Sequence, residues 1–269
     1  MRLKKIFVFL AFASSSFLFY NCSGTKGGGI NLFSPEQDIE LGKQTVQEIA
    51  DHPSDYPVLS ESGNAQVYQY IRGITTKLLN TGKVNYQKEF AWNVKIINDD
   101  KTLNAFCTPG GYIYVYTGLI KYLDSEDQLA GVMGHEMAHA ALRHSTSQMS
   151  KTYGIAALAS IVTGSSNPGL LEQIALSLIQ LKFSRGDEKA ADEHSVIYLC
   201  ETNYYAAGAA GFFIKLEQSG EGGNPPEFLS THPNPGNRVA DIQKMAKDMG
   251  CKGSTTNASE YSRMKNMLK

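Results

Sequence analysis

The 269-residue sequence lacks the features that mark several large classes of protein. Its 25 lysine and arginine residues are balanced by 26 aspartate and glutamate residues, so it has no basic excess of the kind that nucleic-acid-binding proteins carry. Internal repeats and long low-complexity tracts are absent, and the apolar stretch 155–162 is far too short to cross a bilayer. We therefore expect an ordinary globular protein that does not bind nucleic acid.

The first 33 residues differ from the rest of the chain. Three basic residues precede an apolar run over 6–20, which is the layout of a secretory signal and is short for a membrane-spanning helix. Cys22 and a Gly-rich stretch follow, so this region resembles a bacterial lipoprotein signal. We predict a signal peptide over 1–21, a lipid anchor to the membrane on Cys22, and a flexible tether over 22–33. A plain signal peptide and an uncleaved anchor are the alternatives, and all three export the remaining chain to the cell envelope or periplasm.

Cysteine is scarce beyond that point. Cys107, Cys200 and Cys251 show no CxxC spacing, which argues against a structural zinc cluster. In an oxidising compartment two of the three can pair, and Cys200 with Cys251 is the favoured pair because both fall near predicted helix ends. The alternative is three buried free thiols.

Apolar periodicity predicts a mostly helical α+β fold. The order is helices, a small sheet and then mostly helices, and no linker follows residue 33, so we expect one domain over 34–269. The predicted helices cover 34–50, 64–80, 125–149, two segments within 168–202, 205–219, 236–249 and 257–268, and the predicted extended segments cover 90–98, 103–107 and 111–116.

The helix predicted over 125–149 carries a metal-binding pattern. His135 and His139 lie four residues apart and project from one helix face, where both imidazoles can reach one Zn²⁺. Glu136 lies beside this pair and can take a proton from a water molecule without being a ligand itself. The alternative is a buried helix whose histidines are satisfied by hydrogen bonds.

A catalytic zinc ion needs a third protein ligand. His144 follows His139 by five residues, which rotates it away from the metal-facing side of a continuous helix. Glu188 is the better candidate, because it lies on a later predicted helix with Asp192 at i+4, a residue suited to orient a ligand histidine. Without the upstream histidines, a solvated charged face would be the better interpretation of this segment.

Four segments of the sequence resemble the HtpX/CAAX-prenyl-protease family of zinc metalloendopeptidases, in its soluble exported branch. They are His135-Glu136-Met137-Ala138-His139 with Arg143-His144, Ser184 to Asp192, Thr231-His232-Pro233 with Arg238, and Asn104-Ala105-Phe106 leading into Pro109-Gly110-Gly111. The resemblance covers roughly residues 34–245. It implies a zincin-like domain with a small sheet beside the metal-binding helix, one Zn²⁺ per chain, and protein or peptide substrates.

The resemblance also implies catalytic roles. Glu136 is expected to act as the general base, and Asp192 to support a ligand histidine. His232 is expected to stabilise the oxyanion, with Arg238 beside it at a helix start. His232 has two alternatives: it occupies the open position on zinc in a resting enzyme, or it is a plain loop histidine before a proline.

Substrate contacts are predicted around a strand. The segment from Gly110 to Tyr116 is expected to form the edge strand of the cleft, where a peptide can add as a further strand. Gly110, Gly111, Tyr112 and Arg238 are therefore predicted to bind substrate. Ordinary β-propensity explains the alternating tyrosines of this segment equally well.

The expected function is zinc-dependent hydrolysis of peptide bonds in envelope proteins, including misfolded ones. One alternative is an envelope holdase or assembly factor that keeps a zinc site but cleaves little. Another is a zinc hydrolase that is not a peptidase, such as an esterase or amidase.

Overall fold

The structure, a computed structural model, describes residues 31–162, 168–218, 227–233 and 236–268. The predicted signal peptide, Cys22 and most of the predicted tether lie outside these residues. The mostly helical α+β fold is confirmed. The helices are α1 (Pro35–Asp51), α2 (Glu61–Leu79), α3 (Thr117–Tyr122), α4 (Glu126–Ala141), α5 (His144–Val162), α6 (Pro168–Ile179), α7 (Arg185–Cys200), α8 (Gly208–Gln218), α9 (Glu227–Thr231), α10 (Arg238–Asp248) and α11 (Ala258–Lys265), and the strands are β1 (Asn93–Ile97), β2 (Ala105–Thr108) and β3 (Tyr112–Tyr116).

β3 is the central strand of a three-stranded sheet with the order β1-β3-β2. It pairs with β2 in an antiparallel hairpin and with β1 in parallel. Gly110 and Gly111 form the hairpin turn at φ values of 76° and 84°, and a Cβ at Gly110 would lie 2.9 Å from the Ile39 Cα. The prediction that the segment from Gly110 to Tyr116 forms an edge strand is therefore wrong, because β2 folds back along one side of β3 and β1 lies along the other.

The tyrosine face of β3 packs inside the protein. Tyr114 and Tyr116 are buried and contact Phe106 of β2, whose ring stacks on Tyr114 at a centroid distance of 4.8 Å. Ile49 of α1 and Ile97 of β1 belong to the same cluster. Burial in a core, together with β-propensity, explains the alternating tyrosines.

α4 runs through the centre of the molecule. Every residue of α4 except Gln128 is buried, because the helix packs against α2, the sheet, α7 and α8. The approach of α8 is so close that a Cβ at Gly131 would lie 2.1 Å from the Ala209 nitrogen. Polar side chains in the middle of such a helix must find their partners within the protein.

The helix predicted over 125–149 is interrupted. Arg143 adopts a left-handed conformation with φ 60°, and α5 begins at the next residue, His144. For a non-glycine residue this conformation costs about 1–2 kcal/mol. The Arg143 guanidinium offsets the cost by donating hydrogen bonds to both carboxylate oxygens of buried Asp38 and to the Phe33 carbonyl oxygen. The break turns His144 back towards α4.

The folded part begins earlier than predicted. Asn31 lies within the predicted tether, but its amide donates a hydrogen bond of 2.9 Å to the Thr146 hydroxyl on α5. Phe33 is buried in a small cluster with Leu41 and Met149. Residues 31–33 are therefore packed against the domain.

The cysteine pairing favoured by the sequence is confirmed. Cys200 and Cys251 form a disulfide that ties the end of α7 to the segment after α10, whereas Cys107 is buried and free. None of the helices in the described residues is both long and apolar enough to span a bilayer.

Candidate metal centre

Three elements bring four potential metal ligands together in the interior. His135 and His139 come from α4, Glu188 comes from the first turn of α7, and His232 directly follows α9. All four are buried, with exposed fractions of 1–2%. One donor atom of each lies within 4.8 Å of the others. The structure thus brings together the three residues predicted as ligands and adds His232 to them.

Four separations between these donor atoms fit ligands that share one zinc ion. The Nε2 atoms of His135 and His139 are 3.1 Å apart, and His139 Nε2 lies 3.4 Å from Glu188 Oε1. His232 Nδ1 lies 3.3 Å from His135 Nε2 and 3.0 Å from Glu188 Oε1. Ligand atoms at about 2.0–2.1 Å from a tetrahedral Zn²⁺ are about 3.3 Å from one another. Imidazole and carboxylate are also donors that zinc accepts, so the residues present fit this ion.

The start of α7 positions Glu188. The Ser184 hydroxyl accepts a hydrogen bond from the Asp187 N–H, and the Asp187 carboxylate accepts one from the Ser184 N–H, which forms a capping box. Further along α7, the Ser195 hydroxyl donates a 2.7 Å hydrogen bond to the Gly131 carbonyl oxygen of α4. Glu188 is therefore held on a helix whose start and register against α4 are both secured by hydrogen bonds.

His232 lies between the ligand cluster and Glu136. Its Nε2 is 3.6 Å from Glu136 Oε1, while its Nδ1 faces the cluster. The Phe228 ring stacks on the imidazole at a centroid distance of 4.4 Å. The Phe183 N–H donates a hydrogen bond to the carbonyl oxygen of Thr231, the residue before His232. The stacked Phe228 ring and the main-chain hydrogen bond at Thr231 therefore hold the imidazole beside the other three potential ligands.

Glu136 is a buried carboxylate with spare hydrogen-bonding capacity. Its Oε1 has no hydrogen-bond partner among the described residues. Burial raises the pKa of the carboxyl above its usual range, and the charges of His232 and His135 oppose that rise only in part. A carboxylate of this kind is suited to accept and release a proton.

Asp192 and Arg238 lie behind the ligands. Asp192 Oδ1 is 2.9 Å from His135 Nδ1 and also accepts a hydrogen bond from Arg238, whose Nη1 lies 3.1 Å from Glu188 Oε2. Burial raises the pKa of Asp192, but the hydrogen bond with His135 and the charge of Arg238 outweigh it and hold the pKa below its usual value. Arg238 is itself buried and packs over the Phe213 ring. Arg238 was predicted to contact substrate, but in the structure its guanidinium pairs with the carboxylates of Asp192 and Glu188.

His144 contributes to the centre in a way that the sequence did not suggest. Its Nδ1 lies 3.0 Å from His139 Nδ1, and its Nε2 lies 3.9 Å from Asp187 Oδ1. Burial lowers the pKa of His144 to about 4, so the ring is neutral at neutral pH. In a continuous helix His144 would face away from His139. Position 143 is an arginine rather than a glycine or asparagine, so the sequence did not indicate the break.

The other predicted substrate contacts lie apart from the four ligands. Gly110 packs against Ile39 of α1, Gly111 packs against Trp92 before β1, and the Tyr112 ring packs on α1. These residues shape the hairpin turn and its contact with α1. The structure does not bring them to the candidate metal centre.

Comparison with known proteins identifies the family. The chain matches Peptidase family M48 over residues 65–246, which is more than half of its length and includes all four clustered residues.

Individual relatives agree with this match. The chain is 33% identical over 144 residues to mitochondrial metalloendopeptidase OMA1 of Arabidopsis thaliana, covering 54% of this chain and 29% of that protein. It is 29% identical over 244 residues to the beta-barrel assembly-enhancing protease of Yersinia pestis, covering 84% of this chain and 47% of that protein. It is 27% identical over 258 residues to metalloprotease YcaL of Escherichia coli (strain K12), covering 90% of this chain and 97% of that protein. The chain spans less than half the length of the first two relatives. With its paired histidines on one helix and its glutamate on a second, the chain belongs to peptidase family M48, a family of metal-dependent peptidases.

Proposed function

We propose that this chain is a zinc-dependent endopeptidase of the exported, HtpX-like branch of its family. One observation carries the proposal: Glu136 has a buried oxygen with no hydrogen-bond partner among the described residues, and it lies beside a cluster of four potential metal ligands. The relatives named as a metalloendopeptidase, a protease and a metalloprotease support peptide-bond hydrolysis.

The zinc ion would be held by His135, His139 and Glu188. When bound there, it lowers the pKa of a water molecule and polarises the scissile carbonyl group. Asp192 orients His135 so that its Nε2 faces the cluster, and Arg238 balances the negative charges of Asp192 and Glu188. We therefore assign Arg238 a positioning role in place of the substrate contact that the sequence suggested.

Glu136 would serve as the general base and then as the general acid. Its unpaired Oε1 can accept the proton of the attacking water and pass it to the leaving amine of the cleaved bond. The raised pKa favours both steps, because a group that must take up and release a proton works best when its pKa lies near the ambient pH.

His232 would have two successive roles. In this conformation its Nδ1 lies 3.3 Å from His135 Nε2 and 3.0 Å from Glu188 Oε1, where it would be a fourth ligand in place of water, so we assign the conformation to a resting enzyme. In the active enzyme the imidazole, which is next to Glu136, would instead donate a hydrogen bond to the oxyanion.

The substrate would add to β2 in place of β3. Asn104 accepts a hydrogen bond from the Tyr116 N–H, so the main-chain groups of Asn104 face β3. Because these groups alternate in direction along a strand, those of Ala105 and Cys107 face the opposite edge, and β2 packs on α4. Strand addition at this edge would bind extended peptides with little selection of side chains.

Export and anchoring complete the proposal. A signal peptide over 1–21 and a lipid on Cys22 would tether the peptidase domain to a membrane of the bacterial envelope. The relative named for beta-barrel assembly supports envelope proteins as substrates.

The variant Glu136→Gln tests the function. We expect it to retain zinc, measured by elemental analysis, and to lose cleavage of casein and of a peptide library. Glu193→Gln is the matched control, because Glu193 is a partly exposed carboxylate on α7 that pairs with Lys189 at 4.0 Å. Unchanged cleavage by Glu136→Gln would rule out the peptidase mechanism. Protection of an unfolded client that persists in a cleavage-deficient Glu136→Gln would indicate an additional holdase activity.

A further inference from the structure

A second imidazole lies directly behind the ligand His139. The Nδ1 atoms of His139 and His144 are 3.0 Å apart, and both rings are buried, with exposed fractions of 1% and 2%. Water therefore cannot replace either partner. At this distance one nitrogen must carry a proton and the other must accept it, because two bare or two protonated nitrogens repel each other.

The orientation of His139 decides which nitrogen donates. Its Nε2 faces the ligand cluster, 3.4 Å from Glu188 Oε1. A neutral imidazole that offers the Nε2 lone pair to a metal keeps its single proton on Nδ1. His139 then donates and His144 accepts, which leaves the proton of His144 on Nε2, the atom that faces Asp187 at 3.9 Å.

The surroundings of His144 connect it to the third ligand. Asp187 closes the capping box at the start of α7, one residue before Glu188. In the same segment, the Phe183 ring stacks on His139 at a centroid distance of 3.9 Å. One short segment of chain thus packs on His139, faces His144 and supplies Glu188.

We propose that His144 is a positioning residue for the metal centre: by accepting a hydrogen bond from His139 Nδ1, it fixes the tautomer in which His139 Nε2 is free to bind the metal. The inference rests on the proposed ligation by His139. His144 itself contacts neither the metal nor the substrate in this role. The interruption at Arg143 is what makes the contact possible, since it returns His144 to the face of His139.

Two variants of His144 separate hydrogen bonding from packing. In His144→Asn, the side-chain oxygen lies near the position of Nδ1 and can still accept, whereas His144→Leu fills similar space without an acceptor. We expect His144→Leu to bind zinc about 10- to 100-fold more weakly than the wild type, measured by competition with a chelator, and His144→Asn to remain close to the wild type. His52→Leu, at the end of α1, is the matched control and should leave zinc affinity unchanged.

The outcomes distinguish this inference from the proposed function. If the wild type binds no zinc, the ligand set is wrong and this inference falls with it. If the wild type binds zinc and His144→Leu binds it equally well, or if His144→Asn is as weak as His144→Leu, this inference alone is overturned.

A measurement on the wild type does not depend on whether the variants fold. Long-range ¹H–¹⁵N spectra of zinc-loaded protein labelled at histidine report which ring nitrogen carries the proton. We expect the His139 proton on Nδ1 and the His144 proton on Nε2, and a proton on His144 Nδ1 would overturn the inference.

Discussion

Two buried carboxylates on α4, Glu126 in its first turn and Glu136 in its middle, have opposite surroundings. Glu136 has one oxygen without a hydrogen-bond partner among the described residues. Glu126 accepts four hydrogen bonds, from Tyr70, Lys77, Tyr204 and Asn257.

The difference separates a structural network from a site of chemistry. Burial alone would raise the pKa of Glu126, but the hydrogen bonds from Lys77 and Tyr204 hold it below its usual value. Burial raises the pKa of Glu136, and its neighbours do not compensate. Buried acceptors are nearly always paired, and an unpartnered one that also lies beside a cluster of potential metal ligands is suited to exchange a proton.

The largest expected effect comes from removing the unpaired carboxylate. Glu136→Gln should lower kcat/KM for a peptide substrate by about 10²- to 10⁴-fold, because a positioned acid–base group contributes that much. Its unfolding free energy should not fall, since no hydrogen bond of Glu136 Oε1 is lost. Steady-state kinetics and urea unfolding measure the two quantities. A stable, fully active variant would show that Glu136 Oε1 has no catalytic role and would contradict the proposed difference between Glu136 and Glu126.

The network around Glu126 should respond in the opposite way. Glu126→Leu removes the acceptor of the Tyr70 and Tyr204 hydroxyl groups and the charge partner of Lys77, so we expect the unfolding free energy to fall by about 3 kcal/mol. Activity per folded molecule should be unchanged. Urea unfolding, with the folded fraction used to correct kcat, gives the answer. A loss of kcat without a loss of stability would contradict a structural role.

A smaller effect is expected from the support of His135. Asp192→Ala removes the hydrogen bond to His135 Nδ1, which should weaken zinc binding by about 10- to 100-fold. Glu193→Ala changes the neighbouring residue on α7, which faces away from the site, and should not alter zinc affinity. Chelator competition compares the two variants. Equal zinc affinities of the two variants would show that His135 does not need its hydrogen bond to Asp192.

The smallest effect is on the pH dependence of stability in the metal-free protein. The pKa of Glu126 is lowered on folding, so it contributes stability that is present above about pH 4.5 and is lost as the pH falls below that value. The pKa of Glu136 is raised on folding, so its contribution is greatest at low pH and declines as the pH rises above about 4.5. Relative to the wild type, Glu136→Gln should therefore gain stability as the pH rises, and Glu126→Gln should lose it.

Urea unfolding at several pH values between about 4 and 6 checks both slopes. Slopes of the same sign for Glu126→Gln and Glu136→Gln would show that the two carboxylates do not differ in the way proposed.

Local patterns explain what could be predicted from the sequence. Ser34 begins α1 with the expected capping box, because that motif involves only four consecutive residues. His135 and His139 lie on one helix face because helical spacing requires it, and the structure has their Nε2 atoms 3.1 Å apart. Glu188 was predicted from its place on a later helix with Asp192 at i+4, since that spacing puts both carboxylates on one face of the helix.

The failures involve contacts between distant segments. The segment from Gly110 to Tyr116 has the alternation of a half-buried strand, but its central position depends on pairing with β1 and β2. The break at Arg143 depends on Asp38, which lies on another helix and is 105 residues away in sequence. In the sequence, Arg238 resembles a surface cation at the start of a helix. In the structure, it pairs with two carboxylates of α7.

The sequence by itself determined the chemical types at the site: two imidazoles one turn apart, a glutamate beside them, and an acidic pair on a later helix. Periodicity and capping determined these, because they act over a few residues. Only the tertiary structure decided which atoms meet. It placed His232 beside the other three potential ligands, returned His144 to His139, and left Glu136 unpaired while Glu126 is fully bonded. These outcomes depend on how α4, α5, α7 and α9 pack, and packing is determined by the burial of the whole core rather than by any local pattern.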